Sequence, residues 1–102
     1  MKISSTITEP AIHGDTDQKH LDFINEPIGA KPVTELAGIC ETLGARMSRE
    51  GFDKAYVVFG QFLVFNREKE AFVEWMVKTF RAQKKSAIDC YQCLSDYFDQ
   101  FA

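Results

Sequence analysis

The stretch from Val33 to Met47 reads VTELAGICETLGARM and is the most informative part of the chain. Two short helical segments flank a tight turn, AGIC, in which a glycine precedes an apolar residue. Glycine permits a positive φ and a close approach of the backbone, and the free N–H groups that begin the second segment can face an anion. The pattern is typical of a helix-hairpin-helix that holds a DNA phosphate without reading the bases.

Apolar and small residues occupy the positions that such a hairpin needs. Leu36 and Leu43 anchor the two segments, Ile39 fills the turn, and Gly44 lets the segments cross closely. A plain helical corner without a ligand has the same pattern, and the pattern alone does not separate the two interpretations.

Cys40 stands where a second glycine is expected. If its φ must be positive, a residue other than glycine costs ~1–2 kcal/mol there. A charge-assisted hydrogen bond is worth ~1.5–3 kcal/mol. We therefore expect Cys40 to weaken a phosphate contact, by about tenfold in affinity, without abolishing it.

The rest of the chain also predicts helices. A short helix starts at Asp17 as its N-cap and ends before Pro27, Thr34 caps a very short helix, and Asp53 caps the segment that follows the hairpin. The hairpin's second helix covers 41–50, and further helices cover 68–80 and 83–100. The run KAYVVFGQFLVF fits either a strand or a helix by periodicity. The fold class is therefore all-α: a compact single domain of five to six helices over 17–102, with the hairpin at 33–48 and a flexible arm at 1–16.

Composition limits the class of protein. The chain has 102 residues, 45% of them hydrophobic, and a formal net charge of −3, which suits one packed domain and argues against a polybasic tail. Three Cys predict reduced thiols in an intracellular protein. The longest apolar run, AYVVFGQFLVF, is too short to span a bilayer, so we expect a soluble protein with no direct membrane insertion.

Three segments carry a family resemblance. QKHLDFINEPIGAKPVTELAGICETLG, then GFDKAYVVFGQFLV, and later DCYQCL closely resemble barrier-to-autointegration factor, a small metazoan chromatin and nuclear-envelope protein family. The resemblance extends from about Thr16 to the C-terminus. It implies a small helical homodimer that binds double-stranded DNA without sequence preference and bridges two duplexes. It also implies LEM-domain proteins and lamins as partners, a location in the nucleus, chromatin and nuclear envelope with some cytoplasmic protein, and a helix from Lys54 to Phe65.

The resemblance also assigns residues to surfaces. The DNA-facing set, which includes one lysine that this chain adds, is Gln18, Lys19, Gly38, Ile39, Cys40, Lys84 and Lys85. The dimer and partner surfaces would contain Phe59, Gly60, Val64 and Ala71. Where the family carries a phosphorylated Thr-Ser pair this chain has Thr16 and Asp17, so Thr16 is the phosphorylation candidate.

Several positions depart from the family pattern. Besides Cys40, Ile88 replaces an arginine, Tyr97 replaces a tryptophan, and Asp17 adds a fixed negative charge near the DNA surface. These departures predict a diverged paralogue with weaker DNA binding, although Arg81 and Lys84 add positive charge. The alternative is a protein-interaction subunit that has lost DNA binding and that heterodimerises with the ordinary family member to modulate bridging.

Catalytic and metal-binding motifs are weak. Cys90 and Cys93 form a C-x-x-C pair, but a zinc site needs four ligands and a thioredoxin-like site needs a βαβ context. We expect two thiols packed in the core. His13 and His20 are isolated, and no nucleophile-base arrangement stands out. The sequence predicts no enzyme activity, no metal and no cofactor.

Overall fold

The computed structural model describes residues 14–101, and this part of the chain is all-α, as predicted. It contains five α-helices and a 3₁₀ turn: α1 (Gly14–Ile24), the turn (Val33–Glu35), α2 (Glu41–Arg49), α3 (Ala55–Val64), α4 (Lys69–Phe80) and α5 (Lys84–Phe101). Between residues 14 and 101 the extended pairing is confined to an isolated bridge between Pro32 and Lys54. Residues 1–13 of the predicted arm lie outside the described residues.

Helix α1 begins earlier than predicted. Its first residue is Gly14, so Thr16 is helical rather than part of an arm, and Asp17 lies within the first turn instead of capping it. An acidic side chain in a first turn is favourable because it faces the positive end of the helix dipole. The prediction of Asp17 as the N-cap was therefore wrong.

The predicted caps Thr34 and Asp53 were also wrong. Pro32 precedes the 3₁₀ turn and Lys54 precedes α3, and neither makes a side-chain capping hydrogen bond. Backbone pairing between the two segments sets these starts instead. The Val33 N–H donates to the Asp53 carbonyl at 2.9 Å, and the Ala55 N–H donates to the Lys31 carbonyl at 2.9 Å. Such contacts between distant segments leave no local signature in the sequence.

Helix α5 is the centre of the domain, because α4 and α1 both pack along it. The core between the helices is rich in aromatic residues, and Phe23, Phe62, Phe72 and Phe80 are almost fully buried. Burying an aromatic side chain of this size stabilises the fold by ~1.5–3 kcal/mol. The core thus fixes the positions of the helices relative to one another.

Helix α3 resolves the ambiguous apolar run. Residues 55–64 are helical, which confirms the helix that the family resemblance implied. Ala55, Val58 and Phe62 point into the core, whereas Tyr56 and Val64 are 52% and 72% exposed. The run lacks helical periodicity because this helix is apolar on its buried face and on its exposed face.

Polar contacts fix α1 and the following loop on α5. His20 Nε2 lies 2.8 Å from Asp96 Oδ2. The Ile28 N–H donates to the Tyr97 hydroxyl at 2.8 Å, and the Tyr97 ring packs against Phe23 with centroids 5.3 Å apart. Tyr97, which stands where the resemblance implies tryptophan, therefore offers a hydrogen-bond acceptor that an indole lacks.

Candidate nucleic-acid interface

The hairpin turn has the geometry that its residue types predict. Gly38 has a φ of +85°, and Ile39 is fully buried beneath the turn. A Cβ atom at Gly44 would lie 2.5 Å from Thr34 Cγ2, so glycine lets α2 cross the 3₁₀ turn this closely without a shift of the Thr34 side chain or of the helix. The first segment is a single 3₁₀ turn rather than an α-helix. It is short and tied by backbone hydrogen bonds, so it cannot extend into a longer helix.

Gly38 also docks the turn on α5. A Cβ atom there would clash with the Ser86 carbonyl oxygen and lie 3.0 Å from Asp89 Cβ. Two independent requirements, positive φ and close approach, therefore demand glycine at position 38. The consequence is that the start of α5 sits directly beside the hairpin turn.

Cys40 differs from the sequence-based expectation. Its backbone is extended, with φ −83° and ψ 176°, so the conformational cost that a positive φ would impose is absent. Cys40 is instead the N-cap of α2, and the Leu43 N–H donates to its Sγ at 3.5 Å. The side chain still occupies an N–H group that a glycine would leave free for a ligand.

The same contact changes the acidity of the exposed Cys40 thiol. The Leu43 N–H lowers the pKa of Cys40 below its ordinary value, because a hydrogen-bond donor stabilises the thiolate. Partial desolvation opposes this shift, while the Thr42 N–H and the positive charge of Arg46 add to it. The start of α2 is therefore a place where a negative charge is stabilised.

One open groove collects the first turns of three helices. Residues from the start of α1, from the turn and start of α2, and from the start of α5 line it: Thr16, Asp17, Gln18, Lys19, Thr34, Glu35, Gly38, Ile39, Cys40, Glu41, Gln83, Lys85, Ser86 and Asp89. Each helix start carries unpaired N–H groups and about half a positive charge from the helix dipole. The helix starts therefore add partial positive charge to the lining of the groove.

The predicted cations Lys19 and Lys85 both border this groove. Lys19 Nζ donates to the Ile39 carbonyl at 2.8 Å and so ties α1 to the hairpin turn. Lys85 Nζ donates to both oxygens of Asp89, at 2.9 and 3.2 Å. Each ammonium group keeps further donors for a ligand, since a lysine has three.

Acidic side chains offset these charges. The groove is lined by Asp17, Glu35, Glu41 and Asp89 as well as by the two lysines. The predicted Gln18 also turns toward an acid, because its amide donates to Asp22 at 2.8 Å. The side chains alone thus give the groove a negative balance, which the dipoles of the helix starts oppose.

The structure separates the other predicted residues from this groove. Lys84 is exposed but does not line it, and Ile88 packs half-buried against the core. Phe59, Gly60, Val64 and Ala71 lie on α3 and α4, away from the groove lining. Among them, a Cβ atom at Gly60 would meet nothing within 4 Å, which leaves that face of α3 open.

Sequence reasoning missed several residues of the groove. Gln83 and Ser86 contribute through the start of α5, which has no motif of its own. Asp89 had a signal, because a carboxylate four residues after Lys85 on a helix reaches the same side chain. Glu41 could be inferred from its position directly after Cys40.

The C-x-x-C pair packs as expected. Cys90 and Cys93 are fully buried, and burial raises the pKa of Cys90 well above its ordinary value and that of Cys93 to about 11. A neutral, buried thiol is a poor nucleophile. Across residues 14–101, no three His, Cys, Asp or Glu side chains come together in a way that could hold a metal ion.

Comparison with known proteins covers the whole described region. A family model described as Barrier to autointegration factor matches residues 14–101. The chain is 52% identical over 86 residues to barrier-to-autointegration factor of Drosophila melanogaster, which covers 84% of this chain and 96% of that protein. The corresponding identities are 54% for the Danio rerio protein, with the same coverage, and 51% for the Homo sapiens protein, 97% of which is covered. The chain belongs to the barrier-to-autointegration factor family.

Membership in the barrier-to-autointegration factor family confirms the resemblance read from the sequence. The matched region runs from α1 to α5, so the hairpin and the groove both lie inside the barrier-to-autointegration factor domain. Within that region no helix is both long enough and apolar enough to cross a bilayer.

Proposed function

We propose that the chain binds double-stranded DNA without sequence preference, and that a dimer of it bridges two duplexes in chromatin at the nuclear envelope. The observation that carries this proposal is the convergence of three helix starts on one groove beside the hairpin turn. Lys19 and Lys85 border the same groove and supply the positive side chains. Family membership supports the same assignment.

The chemistry of the groove favours phosphate over bases. Backbone N–H groups and lysine ammonium groups bind phosphate oxygens, which are the same at every step of a duplex. The extended backbone at Cys40 and the positive φ of Gly38 expose the start of α2 to such a ligand. Binding of this kind carries no sequence information and depends steeply on salt.

Affinity is proposed to be lower than is usual for the family. Cys40 Sγ accepts from the Leu43 N–H at a position where the family pattern has glycine, and Asp17, another departure from that pattern, is one of four carboxylates that line the groove. A phosphate that enters must replace some of these contacts and approach negative charge. Each replacement subtracts from the free energy gained by the new contact.

The exposed face of α3 supports a dimer. Phe59 and Gly60 are adjacent, and each lies three or four residues from Tyr56 and from Leu63, so the four residues share one face of the helix, with Phe59 half-buried at its edge. Tyr56 and Leu63 are exposed, and a Cβ atom at Gly60 would meet open space. A contiguous apolar face of this kind is typical of a protein interface.

The remaining parts of the proposal come from the family. We propose LEM-domain proteins and lamins as partners, with Val64 and Ala71 near the partner surface, and a non-catalytic role in the nucleus with some cytoplasmic protein. Thr16 borders the groove, so a phosphate added there would repel DNA through its charge of about −2.

The test is fluorescence anisotropy with two unrelated duplexes across a salt series. We expect equal affinities for the two duplexes and a steep salt dependence. Lys85→Gln should lower the slope of log K against log salt by about 0.9, because one phosphate contact is lost. Lys78→Gln is the matched control, since Lys78 is exposed and pairs with Glu74 at the same spacing but lies outside the groove. Affinity equal to that of a neutral control protein would contradict the proposal.

The second candidate is an interaction subunit that has lost DNA binding and forms heterodimers with the ordinary family member. The acidic side chains around the groove and the open apolar face of α3 favour it. Mixing the two proteins and separating the assemblies by native mass spectrometry tests it. Mixed dimers without affinity for DNA would support this candidate, whereas the absence of mixed dimers would remove its mechanism.

A further inference from the structure

We infer that Asp89 is an internal competitor for DNA phosphate: its carboxylate holds Lys85 and must release it when a duplex binds. The inference rests on the proposed DNA binding and identifies a residue that sets its strength. Asp89 begins the DCYQCL segment that carries the family resemblance, but neither that resemblance nor the hairpin motif assigns it a role at DNA. It would make the affinity of the groove adjustable through a side chain that is not itself expected to touch DNA.

The geometry of the pair carries the inference. Lys85 Nζ lies 2.9 Å from Asp89 Oδ2 and 3.2 Å from Oδ1, so both carboxylate oxygens accept from one ammonium group. The Lys85 side chain is 73% exposed and that of Asp89 is 25% exposed. The lysine is therefore free to swing toward a ligand, whereas the aspartate is held near the protein surface.

Packing explains why Asp89 stays in place. Asp89 Cβ lies 3.0 Å from the position that a Cβ atom would take at Gly38, so the carboxylate emerges directly beside the hairpin turn. It borders the groove together with Lys85 and Ser86. A phosphate bound at the hairpin turn would therefore lie close to the Asp89 carboxylate. The two negative charges would repel each other, most strongly at low salt.

The exchange has a defined electrostatic consequence. A carboxylate and a phosphate oxygen are both anionic acceptors, and each makes a charge-assisted hydrogen bond with an ammonium group. Binding of DNA thus trades one such bond for another at Lys85 instead of adding a new one. Lys19 is engaged with the Ile39 carbonyl, which is a neutral acceptor, so the same trade does not apply there.

The test is a double-mutant cycle at Lys85 and Asp89 in the full chain, read by anisotropy across a salt series. We expect Asp89→Asn to tighten duplex binding about fivefold at low salt, because Lys85 no longer has to leave the carboxylate before it contacts a phosphate. In the Lys85→Gln background the same change should tighten binding by about twofold at most, since only direct repulsion is removed. A purely structural role for Asp89 would not couple to Lys85 in this way.

Glu74→Gln is the matched control. It removes the carboxylate of the ion pair between Lys78 and Glu74 on α4, which has the same four-residue spacing. The distance from Lys78 Nζ to Glu74 Oε2 is also 2.9 Å. The substitution changes the net charge by the same amount, and we expect it to leave the affinity within about twofold of native. Thermal unfolding checks that the variants fold, and Asp89→Ser serves as a second variant without the carboxylate.

The outcomes separate this inference from the proposed function. A native chain that binds DNA but gains no affinity from Asp89→Asn and Asp89→Ser overturns the inference alone. Equal tightening in the native and Lys85→Gln backgrounds also overturns it, because the lysine would then play no part. If neither the native chain nor any Asp89 variant binds either duplex, the proposed function fails and the inference fails with it.

Discussion

Cys40 shows how a single side chain can tune a backbone site without straining it. The residue has an ordinary extended backbone, so its effect lies in the Sγ atom that accepts from the Leu43 N–H. A thiol is a weak acceptor compared with the hydroxyl and carboxylate groups that usually cap helices. The cysteine therefore caps α2 loosely while it covers a donor that DNA could use.

Cys40→Gly should tighten duplex binding by up to about tenfold, because it frees the Leu43 N–H and removes the side chain from the path of a phosphate. Anisotropy at constant salt measures the change. Cys40→Ser is the control, since a serine keeps the cap and should leave the affinity close to native. If serine tightens binding as much as glycine does, the bulk of the sulfur is responsible and the capping explanation is wrong.

The buried thiols give a pH dependence of stability. Burial raises the pKa of Cys93 from 9.0 to about 11, so the folded state keeps its proton after the unfolded state has lost it. The folded state then binds more protons between these two values, and stability falls as pH rises through this window. Below about pH 9 the contribution is fully present.

Chemical denaturation at about pH 7 and pH 10 tests this dependence. The native chain should lose about 1.4 kcal/mol more stability than Cys93→Ala over that interval, because one pKa unit corresponds to that energy. The titration of tyrosines and lysines affects both proteins alike, so it cancels in the difference. An equal loss in both proteins would show that the Cys93 thiol is not shielded.

The hairpin shows which features of an element follow from the local sequence pattern and which follow from long-range contacts. The spacing of Leu36, Ile39 and Leu43 predicts the turn, and all three side chains are buried as that spacing requires. The predicted caps failed where backbone bonds from Asp53 and Lys31 fixed the ends of the elements. Elements bounded by their own side chains can be read from sequence, whereas elements bounded by distant backbone cannot.

Gly44→Ala should destabilise the fold by about 1–2 kcal/mol. Its Cβ would lie 2.5 Å from Thr34 Cγ2, and overpacking of this kind outweighs the better helix propensity of alanine. Thermal or chemical denaturation measures the change. Ser48→Ala on the exposed side of α2 is the control and should be neutral or slightly stabilising. A stable Gly44→Ala variant would mean that the turn can move away from α2.

The molecule as a whole places its two proposed surfaces on different helices. The groove is built from the starts of α1, α2 and α5, whereas the open apolar face belongs to α3. Separate surfaces allow one subunit to hold DNA while it contacts a second subunit. This arrangement is what bridging of two duplexes requires.

Gly60→Glu should abolish the dimer and the bridging of two duplexes while leaving single-duplex binding within about twofold of native, because a charge at an apolar contact must be desolvated. Analytical ultracentrifugation reads the dimer, and co-capture of two differently labelled duplexes reads the bridging. Leu21→Glu on α1 is the control, since Leu21 is 52% exposed, as Tyr56 on α3 is. Unchanged bridging in Gly60→Glu would exclude this face of α3 as the dimer contact.

The hairpin turn, the family and most helices could be read from the amino acids, because apolar spacing and the order of residues around the turn are local patterns. The helix over the α3 run followed from the family resemblance and not from periodicity. The same holds for Lys19 and Lys85 as candidate cations. The convergence of three helix starts, the extended backbone of Cys40 and the hold of Asp89 on Lys85 beside the hairpin required the folded chain. These features depend on contacts between segments far apart in sequence, and the position of α5 against the hairpin sets them through the packing of Gly38 on Ser86.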